Sequence, residues 1–102
     1  MRVQFTANAS RQARAIFNYI AADNPDAAQR ALDRILTLCN GLADQPYAGR
    51  KISHGRMRRL TVTPYPYLIY YEVSGQTVRI IRIRHSARFR RAFQEPQQAF
   101  AR

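Results

Sequence analysis

Tyr65-Pro66-Tyr67-Leu68-Ile69-Tyr70-Tyr71-Glu72-Val73, then Ser74-Gly75-Gln76, then Thr77-Val78-Arg79-Ile80-Ile81-Arg82-Ile83-Arg84-His85, carries nearly all the β-branched and aromatic density of the chain. Two such runs joined by a short glycine-containing turn predict an antiparallel hairpin. Side chains alternate along a strand, so Val78, Ile80, Arg82 and Arg84 are expected on one side, and Arg79, Ile81, Ile83 and His85 on the other. Each side begins apolar and ends basic. A strand apolar on two faces belongs inside a sheet, and its charged end points to an exposed site.

The chain has 102 residues, enough for one domain that buries roughly 60 to 70% of its unfolded surface. Cys39 is the single cysteine, so no intrachain disulfide is possible and a reducing cytoplasm suits the composition. Residues 1–10 contain no continuous apolar segment, and the longest apolar run, Tyr67 to Tyr71, falls far short of the roughly 20 residues that span a bilayer. The expectation is a cytoplasmic protein without a membrane segment.

The net charge of +11 is unevenly placed. Residues 1–49 hold five arginines against four aspartates, net +1, whereas residues 50–102 hold eleven arginines and Lys51 against Glu72 and Glu95, net +10. Arginine favours planar, bidentate contacts to carboxylate or phosphate. Such clustering implies either a solvated basic face or an anionic partner, nucleic acid or acidic protein.

Outward from the hairpin, Arg2-Val3-Gln4-Phe5 alternates as a short strand, and Thr6 is a good N-cap for a helix over Ala7 to Ala22. Ala13, Ile16, Phe17 and Ile20 make its apolar stripe. Asp23-Asn24-Pro25-Asp26 breaks the helix and starts another, with Asn24 as N-cap and Pro25 in the first turn. The second helix, to about Leu42, aligns Ala28, Ala31, Leu32, Ile35, Leu38, Cys39 and Leu42. Cys39 therefore reads as core, the alternative being a catalytic thiol, which needs exposure and a nearby base. Pro46 to Arg50 reads as a loop that Lys51 to Arg56 continues, and Met57 to Thr63 as a strand.

The result is an α+β fold: an N-terminal strand, a helical hairpin, a three-stranded antiparallel sheet and a short C-terminal tail (88–102), all in one domain spanning 1–102. Two helices with one stripe each cover one face of a small sheet, leaving the other as the working surface. Ile16, Ile20, Ile35, Leu38, Leu60, Ile69, Ile81 and Ile83 are expected in one core. No spacing suits a metal site or a phosphate loop, so no cofactor or metal is expected.

Thr6, the segment Tyr19-Ile20-Ala21-Ala22-Asp23-Asn24-Pro25 with Ala27-Ala28 behind it, the loop Pro46-Tyr47-Ala48-Gly49-Arg50, the strand Pro66-Tyr67-Leu68-Ile69-Tyr70-Tyr71 and the closing Arg82-Ile83-Arg84-His85-Ser86-Ala87-Arg88 stand in an order that resembles the ParE branch of the RelE/ParE toxins. The resemblance runs over about residues 3 to 88. It implies the toxin of a type II toxin–antitoxin pair, neutralised by a cognate antitoxin that is acidic and partly disordered when free. Operator DNA would be met only through that antitoxin. In the ParE branch the implied target is DNA gyrase, and in the RelE branch mRNA on the ribosome.

The two branches ask for different residues. RNA cleavage needs a general base, a general acid and cations around the phosphate. Arg82 or His85 is placed to serve in such a site, but Ser86 follows His85 and no tyrosine occurs after Tyr71. His85 reads either as a proton shuttle near neutral pH or as a structural residue sharing a face with Ile81 and Ile83. Arg58, Arg59, Arg82, Arg84 and Arg88 are expected to converge as a target- or antitoxin-binding surface. The sequence therefore favours a ParE-like toxin acting by protein contact without chemistry of its own. A metal-independent RNA endonuclease and a non-enzymatic nucleic-acid-binding module are the alternatives.

Overall fold

The computed structural model describes residues 1–52 and 55–86, so Arg88 and the tail read over 88–102 lie outside the described residues. The elements run β1 (Arg2–Phe5), α1 (Ala7–Ala21), α2 (Pro25–Gly41), β2 (Arg50–Lys51), β3 (Arg58–Thr61), β4 (Tyr67–Ser74) and β5 (Thr77–His85). Both helices start where side-chain caps are available. The Thr6 hydroxyl accepts from the Ala9 N–H at 3.0 Å, and Asn24 Oδ1 accepts from the Ala27 N–H at 3.0 Å, each satisfying a donor that the first turn leaves open. Pro25 follows at the first helical position and Asp26 adds a favourable charge beside it.

The sheet has five strands in the order β1-β5-β4-β3-β2. The three expected antiparallel strands form its middle. Two edges complete it: β1 pairs parallel with β5, and β2 pairs antiparallel with β3. The segment read as a loop from Pro46 through Arg56 thus contains a strand. With two exposed residues, Arg50 and Lys51, it is too short for any alternation to show.

The face assignment of β5 is corrected by a β-bulge. Tyr71 pairs with Ile80 and Tyr70 with Arg82, so Ile81 is the extra residue and the alternation changes phase there. Val78, Ile80, Ile83 and His85 fall on one face, paired with Val73, Tyr71, Ile69 and Tyr67. Arg79, Arg82 and Arg84 fall on the other, opposite Glu72, Tyr70 and Leu68. Strict alternation would have sent Arg82 and Arg84 to the side of Val78 and Ile80.

The core lies between the helices and the first of these faces. Ala9, Ala13, Ile35, Cys39 and Leu42 meet Val62, Tyr67, Ile69, Tyr71, Val78, Ile80 and Ile83, with Ile16, Ile20, Leu38 and Leu60 packed partly buried against them. Of the expected core, Ile81 is the exception: it is half-buried and outside this cluster. Cys39 is fully buried, and desolvation pushes its thiol up to about 12, the reverse of what a nucleophile needs.

The bulge is held by α1. Beyond Phe5, β1 no longer covers the edge of β5, and side chains take over: the Thr6 hydroxyl donates to the Ile81 carbonyl at 3.0 Å, and Gln12 Oε1 accepts from the Ile83 N–H at 2.8 Å. Thr6 thus caps its helix and anchors the extra residue with one oxygen.

Candidate functional site

Register partners on neighbouring strands share a face. Arg50 pairs with Arg59, Arg59 with Tyr70, and Tyr70 with Arg82. Four strands therefore place three arginines and a tyrosine in one cross-strand row, about 14 Å long at the usual strand spacing. The next row is Thr61, Leu68 and Arg84. Neither described helix packs on this face, although Leu68 and Tyr70 are buried there.

Charge on this face is poorly balanced among the described residues. Glu72 is engaged by Arg79, whose Nη1 donates to Oε2 at 3.0 Å. Among the described residues Arg59, Arg82 and Arg84 form no ion pair, and the buried Arg82 Nε–H has no acceptor there. Like charges directly opposed across strands, as at Arg50 and Arg59, are destabilising. This arrangement weakens the free protein and suits an anionic partner.

Arg58 does not join the cluster it was expected to join. It pairs with Tyr71 and Lys51 on the helix side of the sheet. There its Nη1 donates to the Gly49 carbonyl at 2.8 Å, and its guanidinium lies 4.9 Å from the centroid of the Tyr47 ring. Beneath it the hydroxyl of fully buried Tyr71 donates to the Pro46 carbonyl at 2.9 Å and accepts from the Gly49 N–H at 2.8 Å. Burial raises the Tyr71 phenol above its ordinary pKa, while the Gly49 hydrogen bond and the Arg58 charge pull it back. A Cβ on Gly49 would stand 2.7 Å from the Tyr71 ring and hydroxyl, so only glycine fits against this phenol.

Arg82 and His85, the pair considered for RNA chemistry, point from opposite faces of β5. His85 stands on the helix side, edge-on to Tyr67 with ring centroids 5.4 Å apart and an interplanar angle of 89°. That is the geometry of a packed aromatic pair. The structure thus brings Arg59, Arg82 and Arg84 together, sets Arg58 and His85 on the other side, and adds Arg50, which no periodicity marks.

A groove of about 460 Å³ opens between the helices, lined by Phe5, Ala13, Phe17, Leu32 and Leu36 with Arg14 at its border. Phe17 and Leu32, expected on the apolar stripes of the two helices, line this groove half-buried, and Leu32 also packs against the core. Leu36, apolar beside the expected stripe of α2, is the sequence signal that the apolar face is wider than the core requires.

The sequence and the fold both match known proteins. The sequence fits the family described as ParE toxin of type II toxin-antitoxin system, parDE, over residues 3–89. It is 45% identical over 74 residues to Toxin RelE2 of Caulobacter vibrioides, covering 72% of this chain and 82% of that one. A relative from Sinorhizobium fredii is 36% identical over 85 residues, 83% of this chain and 88% of its own. Among solved structures, a chain of the chromosomal ParDE TA system from P. aeruginosa superimposes with a TM-score of 0.73 at 26% identity, covering 83% of this chain and 95% of that chain. The chain belongs to the ParE toxin family, the toxin side of type II toxin–antitoxin systems.

Proposed function

We propose that this toxin acts by protein contact on DNA gyrase in the cytoplasm, performs no bond chemistry of its own, and is silenced by an acidic antitoxin. The observation that carries the reading is the separation of Arg82 from His85 by the thickness of the sheet. An RNA-cleaving site needs its proton-transfer groups beside the cations that hold the phosphate. Here Arg50, Arg59, Arg82 and Arg84 stand on one face and the histidine is packed against Tyr67 on the other, where Arg58 is engaged by Gly49 and Tyr47. The row of Arg50, Arg59 and Arg82 supplies a field for an acidic protein surface instead.

The groove between α1 and α2 supports the antitoxin half of the proposal. An apolar channel with Arg14 at its border suits an amphipathic segment that is acidic on one side and folds as it binds. Operator DNA is then met only through the antitoxin. Among the described residues no helix is long and apolar enough to cross a membrane.

The name RelE2 carried by one relative makes ribosome-dependent mRNA cleavage the reading to test against. Purified toxin is given a gyrase supercoiling reaction and, separately, translating ribosomes with a defined message. Trapped cleaved DNA is the expected result. Cut message with undisturbed supercoiling would replace the gyrase reading by the nuclease one.

A further inference from the structure

The loop Pro46-Tyr47-Ala48-Gly49 is held far more firmly than a surface connection requires. The Tyr71 hydroxyl, itself buried in the core, bridges Pro46 and Gly49, and the Arg58 guanidinium clamps Gly49 from the other direction. The Ala48 N–H donates back to the Gln45 carbonyl at 3.1 Å. What all this holds in place is Tyr47, a residue 62% exposed. Arg58 covers one face of its ring, fixing its orientation while most of the residue meets solvent.

An immobilised, exposed tyrosine offers contact area at little entropic cost on association, because its ordering is already complete. Tyrosine and arginine are also the residue types that dominate binding hot spots. The surroundings set the partner's character. Arg50, Lys51 and Arg56 are exposed close by in the chain, and no acidic residue occurs between Asp44 and Glu72. Arg50 begins β2 directly after Gly49 and is also the first member of the arginine row.

We infer that Tyr47 is a recognition knob, a rigid aromatic ring in a basic collar that enters an apolar pocket on an acidic surface of the toxin's protein target. A protein fits better than single-stranded nucleic acid for two reasons. Strand binding uses successive stacking platforms, whereas Tyr47 is the one exposed large aromatic at this end of the described residues, Tyr19 lying on α1. The guanidinium nearest the ring is already committed to Gly49 and Tyr47 rather than free for phosphate. The inference rests on the reading of this chain as a toxin that works by protein contact, and it names a contact outside the arginine row.

The test compares wild type, Tyr47→Ala and Tyr47→Phe in three measurements: growth inhibition on induction, the melting curve, and binding to purified DNA gyrase. Tyr47→Ala is expected to melt like wild type, to lose growth inhibition, and to bind gyrase at least about thirtyfold more weakly, the size of a hot-spot loss. Tyr47→Phe keeps the ring and is expected to retain most of both activities. Full growth inhibition by a folded Tyr47→Ala overturns the knob whatever the target is. If wild type fails to bind gyrase while Tyr47→Ala still loses growth inhibition, the gyrase reading falls and the knob stands. Binding of wild type to a single-stranded oligonucleotide that Tyr47→Ala abolishes would overturn the protein partner in favour of nucleic acid.

Discussion

Ile80 and Arg82 are two residues apart in β5, yet they stand opposite adjacent residues of β4, Tyr71 and Tyr70, and so lie on opposite faces of the sheet. The extra residue between them keeps Ile80 and Ile83 in the core and turns Arg82 and Arg84 outward together with Arg79. Energetics should follow this phase change. Ile83→Ala is expected to cost about 2 to 5 kcal/mol, the usual loss for a buried isoleucine, and Ile81→Ala about 1 kcal/mol or less. Deleting Ile81 restores regular alternation with Arg82 still opposite Tyr70 and Ile83 still opposite Ile69, so it should preserve cooperative unfolding. Urea titrations of the three variants check this, and equal costs at Ile81 and Ile83 would refute the bulge.

Thr6 joins α1 to the bulge through one hydroxyl. Its replacement by alanine removes a helix cap and leaves the Ile81 carbonyl without its donor, at a combined cost of about 1 to 3 kcal/mol. Thr6→Ser keeps both bonds and should stay within about 0.5 kcal/mol of wild type. A serine variant as unstable as the alanine one would show that the methyl group, not the hydroxyl, matters.

The arginine row should separate activity from folding. A triple change of Arg59, Arg82 and Arg84 to alanine removes charges that have no ion-pair partner among the described residues. Loss of exposed Arg84 should shift stability by less than about 0.5 kcal/mol, and loss of part-exposed Arg59 and Arg82 should leave the fold cooperative, while growth inhibition falls sharply. Undiminished toxicity from the folded triple variant would exclude this face as the working surface.

Leu36 lines the helical groove away from the arginine row. Leu36→Glu is expected to leave toxicity intact and to weaken rescue by co-produced antitoxin, since it sets a negative charge against an acidic, apolar segment. Rescue at wild-type levels would move the antitoxin elsewhere.

Alkaline conditions should destabilise the fold in two stages. Cys39 has its folded-state pKa raised to about 12, and Tyr71 is raised above its ordinary value. Both groups hold their proton more tightly folded than unfolded. The stability they contribute is therefore complete below the unfolded-state pKa and is lost as pH rises toward the folded one. For the thiol the decline begins near the ordinary cysteine range, about pH 8.5 to 9, with a slope of up to about 1.4 kcal/mol per pH unit; tyrosine joins from about pH 10. Cys39→Ala should flatten the first stage and leave the second. Denaturant midpoints measured across this range decide, and an unchanged slope below about pH 10 would contradict the assignment to Cys39.

Much of the architecture was legible in local patterns. Thr6, Asn24 and Pro25 announce both helix starts, and the glycine turn between Val73 and Thr77 announces the hairpin, where Gly75 adopts φ +61°. What escaped was decided by residues distant in sequence. The bulge depends on Thr6 and Gln12, 75 and 71 positions from their partners in β5, and no feature of Ile80-Ile81-Arg82 marks it. The site suffered most, because one inserted residue decides which arginines share a face. Arg58 was expected to converge with the other arginines at neighbouring strand ends, but it faces the helix side, opposite to Arg59, and its partners lie in the Tyr47 loop.

Strand β1 has a single neighbour in the sheet, β5. β1, made before the other described strands, therefore waits for the last of them, and Thr6 cannot complete its bond to Ile81 until that residue has been made. Contacts so far apart in sequence slow folding. The row from Arg50 to Arg82 also needs β5 as its final member. A growing chain thus lacks its complete basic face until Arg82 has been made, has left the ribosome and has paired with Tyr70, so the cell meets that face only after the hairpin is translated.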